Sequence, residues 1–301
     1  MPASEAPVAS DTGPASGGEA GTRTARQLNA GLIDVLKRFD ALAIAVSGGI
    51  DSMTLAFIAH RVLHEPPTMV HAVSPAVPAE ATWRIRSYAA REGWRLSLVD
   101  AGEFADPSYR ANPVNRCYFC KSHLYDRIRG LSPGVIASGT NLDDLGDFRP
   151  GLNAAAERQV VHPFVEARIG KAGIRHLARW HGLTDLAELP AQPCLASRVE
   201  TGIRIEASDL AFVDAAERHI REHAPAPANV RCRLTRSGVV LEIGGIGAQG
   251  GLMEETHFDL PRLADLAASF CKEAGRTFAG VRPYRQGSAF IGAANDAAKS
   301  N

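Results

Sequence analysis

Four short apolar runs, "ALAIAV" (41–46), "MVHAV" (69–73), "RLSLV" (95–99) and "GVIAS" (134–138), read as strands, and the stretches between them are far too long for hairpin turns. Those stretches contain "SMTLAFIAHRVL", "AEATWRIRSYAAREG" and "KSHLYDRIRG", whose apolar residues recur at three and four, the spacing of amphipathic helices. Strand and helix in alternation require a parallel sheet covered on both sides, because each parallel neighbour is reached by a crossover. The fold class is therefore α/β. The last two runs are apolar enough to be buried on both faces, and ligands of such sheets lie at the carboxyl ends of the strands.

After Ser197 the order changes. "EASDLAFVDAAERHIREH" (206–223) reads as a helix, "NVRCRL" (229–234) and "GVVLEI" (238–243) as a hairpin, and "LPRLADLAASFCKEAG" (260–275) as another helix. This predicts a smaller C-terminal α+β domain for substrate binding or oligomerisation over 201–290, joined near Glu200 to an α/β domain over 26–200. With 45% hydrophobic residues in 301, the chain has enough apolar side chains for both cores. No internal repeat is present.

The segment 1–25 is rich in Ala, Ser, Gly, Pro and Thr and lacks an apolar stretch long enough for a signal peptide or a membrane span, so it reads as a disordered tail on a cytoplasmic protein. Residues 291–301 read as a flexible tail. The 33 basic residues balance the 33 acidic ones, so no global field draws the protein to nucleic acid or an anionic membrane. Five cysteines are too few for a disulfide scaffold in a chain of this length, and in a reducing compartment they serve as metal ligands, reactive thiols or core residues. Cys232 and Cys271 have apolar neighbours and read as core.

The first strand breaks into "SGGIDS" (47–52), after which a helical run begins. Consecutive glycines permit positive φ and close approach of the backbone to a ligand, and a helix start directs free N–H groups at whatever precedes it. A phosphate suits such a place, although a plain glycine turn with Ser47 or Asp51 capping the helix has the same local pattern. The spacing is not that of the Walker A loop, and the stretch holds no lysine. It does match the SGGxDS signature of the PP-loop ATP pyrophosphatases. That resemblance implies that Ser47, Gly48, Gly49 and Ser52 cradle the pyrophosphate of ATP and that Asp51 helps hold Mg²⁺.

Other stretches narrow the resemblance. "NRCYFCKSHLY" (115–125), "SGTNLDDLGDFRPGL" (138–152) and "PCLASR" (193–198) follow the order and spacing of the LarE family, and "PYRQGS" (283–288) resembles its closing segment. The similarity runs from about Gln27 to Ser288. LarE proteins are ATP-dependent sulfur transferases of nickel-pincer nucleotide biosynthesis, so the resemblance implies adenylation of a pyridinium dicarboxylate mononucleotide and conversion of its carboxylates to thiocarboxylates. It also implies a homo-oligomer, and contacts of Ser197 and Arg198 with the mononucleotide. The family carries a functional tryptophan near Trp83, though a lone Trp in an amphipathic helix also reads as core.

The residues themselves suit such a substrate. Asp143 and Asp144 offer hard oxygen ligands for Mg²⁺, and Arg149 can offset phosphate charge, whereas "NLDDLGD" read without a ligand is a helix cap. Arg231 and Arg233 alternate along the expected strand, so both project to one face, either to a substrate phosphate or to solvent. The family has an Arg-x-Arg pair at the matching place.

Cys194 is the family's sulfur-bearing position, where well-known members sacrifice their own cysteine sulfur. Here Cys117 and Cys120 add a CxxC pair, and three cysteines can hold a [4Fe–4S] cluster whose fourth iron is open, an arrangement also found in a branch of the family. Two other uses stay open: a Zn²⁺ site made with His123, and a redox CxxC pair.

The sequence departs from the family after Arg198. Glu200 and Thr201 replace a Pro-Tyr pair and put a negative charge near the expected substrate. A related activity, tRNA thiolation, calls for a basic surface or an RNA-binding module, and neither is visible. A non-catalytic nucleotide-binding module is the alternative from another class.

Overall fold

The computed structural model describes residues 23–146, 149–223, 228–245 and 259–284. Most of the 1–25 segment, all of 291–301, and the end of "PYRQGS" beyond Tyr284 lie outside the described residues.

The four apolar runs form β1 (Leu42–Ala45), β2 (Thr68–Ala72), β3 (Arg95–Val99) and β4 (Val135–Ser138), all parallel, in the order β3-β2-β1-β4. Ala43 pairs with Thr68 on one side and Ile136 on the other. The chain therefore steps outward from β1 in one direction through β2 and β3, then returns to place β4 on the opposite side. The order reverses at the β1/β4 boundary, the place where sheets of this type leave a crevice for ligands at their carboxyl ends. Val161 continues the sheet briefly beside Ala137.

Helices cover both faces. They are α1 (Ala25–Leu36), α2 (Ile50–Val62), α3 (Ala79–Glu92), α4 (Pro107–Arg110), α5 (Arg116–Arg129), α6 (Pro150–Glu157), α7 (Pro163–Glu166), α8 (Lys171–Trp180) and α9 (Thr184–Ala187). Helix α1 starts with a capping box in which Thr24 accepts from Gln27 N and Gln27 returns a bond to Thr24 N, satisfying donors that a helix start leaves unpaired. Its Leu28, Leu32, Val35 and Leu36 join α2, α8 and α9 in one core layer. The other layer is built from Leu124, Tyr125 and Ile128 of α5 against Val70, Val99 and Ile136.

Three expectations are corrected. Helix α2 is not amphipathic: Ile50 and Ser52 through Ala59 are all buried, because α1, α8 and α9 enclose the side facing away from the sheet. Strand β3 is not buried on both faces, since it is an edge strand and Leu98 is exposed. Helix α5 starts at Arg116 rather than near Lys121, so both cysteines of the CxxC stand on it, one turn apart.

Beyond Ser197 the chain forms α10 (Ala207–His223), the antiparallel pair β5 (Ala228–Thr235) and β6 (Gly238–Gly245), α11 (Leu260–Glu273) and β7 (Phe278–Pro283), which pairs parallel to β6. Strand β7, "FAGVRP", was not apparent because its short, glycine-broken run lacks alternation. A shared cluster joins Leu195, Val199, Leu210, Val213 and Cys232 to Tyr109, with Phe119 and Cys120 packed against it, so Cys120 of α5 lies against the second sheet's own core. Cys232 and Cys271 are buried in that cluster.

Candidate functional site

The chain leaves β1 at Ala45 and turns into α2 through Ser47, Gly48 and Gly49. Gly48 has φ +81°, and a Cβ there would lie 2.9 Å from the Cβ and the carbonyl oxygen of Ala81, so both conformation and space demand glycine. Gly49 is different. It is the N-cap of α2 at an ordinary φ of −80°, and the nearest atom to an added Cβ would be Ser47 Oγ at 3.6 Å. Neither Ser47 nor Asp51 caps the helix: no side chain does. Ser52 instead folds back. Its Oγ accepts from Ser47 N at 3.0 Å and lies 3.1 Å from Ser47 Oγ, which tightens the loop around the open helix start. Gly139, which follows β4, packs its backbone against this same turn, where a Cβ would fall 2.6 Å from Ser52 N.

The lysine missing from the loop arrives through space. Lys171, the first residue of α8, places Nζ 2.8 and 2.7 Å from the two carboxylate oxygens of Asp51. Burial raises the Asp51 carboxyl above its ordinary range despite this ammonium, and Asp144 adds to the rise. Asp143 and Asp144 lie on a 3₁₀ turn, Leu142–Gly146, after β4. Asp143 caps α8 by accepting from Lys171 N at 2.7 Å, while Asp144 accepts from Asn141 N at 3.0 Å and pairs with Arg149 at 2.7 Å. The capping role thus holds for Asp143, and it is exercised on a helix 28 residues away in sequence.

Cys117 and Cys120 are half-buried on α5, and Cys194 is exposed at the start of the 3₁₀ turn Leu195–Arg198. The three share one electrostatic environment. Burial pushes the Cys120 thiol up to about 12, with Lys121 opposing and Cys194, Glu103 and Cys117 reinforcing. Burial likewise raises Cys117, and Cys194 is the next contributor, against Arg116, Lys121 and Arg149. Buried thiols of this kind are poor nucleophiles unless a metal or cation stabilises the thiolate. A single tetrahedral ion with Zn–S bonds of about 2.3 Å needs its sulfurs roughly 4 Å apart. Among the described residues, the three cysteines are not such a group, and neither are they with His123: only His219, Glu222 and His223 bring three metal-ligating atoms within 4.8 Å of one another. His123 is held by Asp106, at 3.0 Å.

Two links tie the cysteines to the loop. Arg84 of α3 donates through Nη1 to Gly48 O at 2.8 Å and to Gln192 Oε1 at 3.0 Å, so the Gln192 side chain, two residues before Cys194, is tied to the glycine turn. Arg149 pairs with Asp144 and lowers Cys117, while Asp144 acts on Asp51.

The arginines are more occupied than alternation implied. Arg198 is buried and donates from Nε to Glu217 at 2.8 Å and from Nη1 to the carbonyls of Pro193 at 2.7 Å and Cys194 at 3.2 Å, and to Ser197 Oγ at 3.0 Å. Ser197 Oγ in turn donates to Cys194 O at 2.7 Å. Arg233 is buried against Glu242 and donates to Ser197 O at 2.9 Å. Arg231 is buried too, donating to Val230 O and Ala191 O, but its Nε meets no acceptor among the described residues. Burial and the neighbouring Arg198 bring its pKa down to about 10. Ser197 and Arg198 thus hold the Cys194 carbonyl, and Arg233 holds the carbonyl of Ser197.

No family model matches the chain. An uncharacterized protein of Synechocystis sp. is 40% identical over 186 residues, which cover 60% of this chain and 69% of the relative. An uncharacterized protein of Methanocaldococcus jannaschii is 26% identical over 197 residues, 63% of this chain and 73% of the relative. The pyridinium-3,5-bisthiocarboxylic acid mononucleotide synthase of Lactiplantibacillus plantarum is 28% identical over 195 residues, 63% of this chain and 70% of the relative.

The chain belongs to the LarE family.

Within the LarE family's pattern, the departure at Glu200 is neutralised locally. Its carboxylate pairs with the Arg236 guanidinium and accepts from Arg236 N at 3.2 Å, in the β5–β6 turn, so the added charge is spent on that turn. Trp83 is 68% exposed on α3, one residue from Arg84, and is not a core residue. Lys171, Arg84, Glu217 and Glu242 had no signal in the linear sequence, because each acts on a partner brought near only by the fold.

The glycines give a separable prediction. Gly48→Ala is expected to strain the loop against Ala81 and lower the thermal midpoint as well as nucleotide binding, since φ is positive there. Gly49→Ala has no such clash and is expected to keep the parent's melting temperature while weakening ATP binding measured by calorimetry.

Proposed function

We propose that this chain is an ATP-dependent sulfur transferase that adenylates a carboxylate of a pyridinium mononucleotide and replaces it with a thiocarboxylate. The observation that carries the reading is the bridge made by Arg84, which fastens the glycine turn to the segment leading into Cys194. The likeness to the Lactiplantibacillus plantarum synthase supports the substrate class.

In this account ATP lies at the β1/β4 crevice with its pyrophosphate on the backbone N–H groups of the open α2 start, a place that favours anions. A substrate carboxylate oxygen attacks the α-phosphorus, the bond to the bridging oxygen breaks, and pyrophosphate leaves. Lys171, already beside Asp51, neutralises charge on the leaving group, and Arg149 does the same from the other side. Asp51 and Asp144 would hold Mg²⁺, which would supply positive charge beside the phosphates. Sulfur at the sulfide level then attacks the acyl carbon, the acyl–oxygen bond to the phosphate breaks, AMP departs with the former carboxylate oxygen, and the thiocarboxylate forms.

Cys117, Cys120 and Cys194 would hold a [4Fe–4S] cluster. Two half-buried thiols and an exposed one that acts electrostatically on both, not gathered tightly enough for a single tetrahedral ion, are consistent with a cluster on three protein ligands. When bound, such a cluster would supply iron able to deliver sulfide-level sulfur. The chain's part is to orient Cys194 through Arg198 and Ser197 and to keep water from the α5 side with Tyr109 and Phe119. A second reading, donation of sulfur by Cys194 itself, is favoured by its exposure relative to the other two.

The test is release of pyrophosphate and AMP from ATP with Mg²⁺, dependent on a pyridinium dicarboxylate mononucleotide. Lys171→Met is expected to cost at least ~10²-fold in that half-reaction, the scale of losing one preorganised charge-stabilising donor. Pyrophosphate release that ignores the carboxylate substrate would overturn the proposal.

A further inference from the structure

The last turn of α10 carries a second constellation, remote in sequence from every cysteine of the first. His219 and His223 stand four residues apart on one face, with Glu222 beside them, and their ligand atoms all lie within 4.8 Å of one another. We infer that His219, Glu222 and His223 form a binding site for a divalent transition metal of the zinc class.

Five features favour ligation over a chance grouping. His223 Nδ1 is 2.8 Å from the carbonyl oxygen of His219, so that nitrogen carries the proton and donates, which leaves the Nε2 lone pair for a metal. The His219 ring is stacked on Phe270 of α11, with centroids 5.2 Å apart and planes at 26°, which restricts its rotation. The two imidazoles lie side by side, their centroids 4.9 Å apart and their planes tilted by 54°. Glu222 has no ion-pair partner among the described residues, so its carboxylate is available without breaking a salt bridge. The site also lies at a helix C-terminus, where the aligned peptide dipoles favour a cation.

Around a tetrahedral zinc with bonds of about 2.0–2.1 Å, ligand atoms are roughly 3.4 Å apart. Small side-chain rotations close the remaining gap, because Glu222 and His223 are exposed and His219 is half-buried. Two imidazoles and one carboxylate suit Zn²⁺ and its neighbours rather than Mg²⁺ or Ca²⁺, which prefer oxygen alone. Three protein ligands leave a coordination position open to water or to a group from another molecule. This donor set contains no sulfur, which separates it from anything held by Cys117, Cys120 and Cys194.

The experiment uses the full chain without a histidine tag. Co²⁺ is titrated while the visible d–d bands and the sulfur-to-metal charge-transfer band are followed, and Zn²⁺ affinity is measured by competition with a chromophoric chelator. The expected result is one Co²⁺ per chain with d–d absorption and no charge-transfer band, unchanged in Cys117→Ser. His223→Ala, at an exposed side chain, should remove that species and weaken Zn²⁺ by at least ~10-fold, the least that disturbing a metal site commonly costs. His219→Asn should do the same, with circular dichroism checking that α10 remains folded. Absence of a sulfur-free Co²⁺ species, or its survival unchanged in both variants, would overturn the inference.

Discussion

Cys194→Ala is expected to leave substrate-dependent pyrophosphate release at the parent's rate and to reduce thiocarboxylate formation below detection. The separation follows from the site's construction. In the proposed site the nucleotide end would rest on the β1–α2 turn, Asp51, Lys171 and Arg149, where Lys171 pairs with Asp51 and Arg149 with Asp144. The sulfur end would depend on Cys194, whose side chain is exposed, so its truncation should cost little stability. Mass spectrometry of the nucleotide product and a coupled pyrophosphate assay on the same sample check both halves. Loss of pyrophosphate release together with product would mean that the two ends are one device.

Glu217→Ala is expected to cause the largest loss of stability of any single substitution at the site, about 3–5 kcal/mol, the range for leaving a buried charge without its partner. Glu217 is buried and accepts from Arg198 at 2.8 and 3.1 Å, from Arg221 at 2.6 Å and from Cys232 N at 3.0 Å. Burial opposes its charge, yet Arg198, Arg231 and Arg221 outweigh that and hold the carboxyl below its usual range. Without it, the guanidiniums of Arg198 and Arg231 would be buried with no carboxylate between them. Arg198 would then release the carbonyls of Pro193 and Cys194, so the variant should lose thiocarboxylate formation even at temperatures where it stays folded. Urea unfolding followed by fluorescence, beside Arg221→Ala as a milder control at the exposed rim, measures the effect. A cost under about 1 kcal/mol, the scale of a surface ion pair, would contradict the account.

How far the sequence alone reaches is plain from particular residues. Strands β1, β2, β3 and β4 were legible because their apolar runs are bounded by turns and separated by helical periods. The place of SGGIDS at a strand-to-helix junction was legible for the same reason. The enclosure of α2 was not, because residues from α1, α8 and α9 decide what covers its outer side. The alternation of Arg231 and Arg233 correctly put them on one strand, but their burial depends on Glu242 and Glu217, which arrive from β6 and α10. The Lys171–Asp51 pair was invisible: 120 residues separate the two, and only the loop after β4, through the Asp143 cap, brings the start of α8 to that place.

The most direct test of the central claim is iron content. The full chain is purified without oxygen after reconstitution with iron and sulfide, and iron, sulfide and visible absorption are measured for the parent and for Cys117→Ala. The account predicts about four irons and about four sulfides per chain, with a broad absorption lost in the variant, as for a cubane on three cysteine ligands. A colourless parent without iron would contradict it, and a mass loss of one H₂S from Cys194 after reaction would then assign the sulfur to the protein's own side chain.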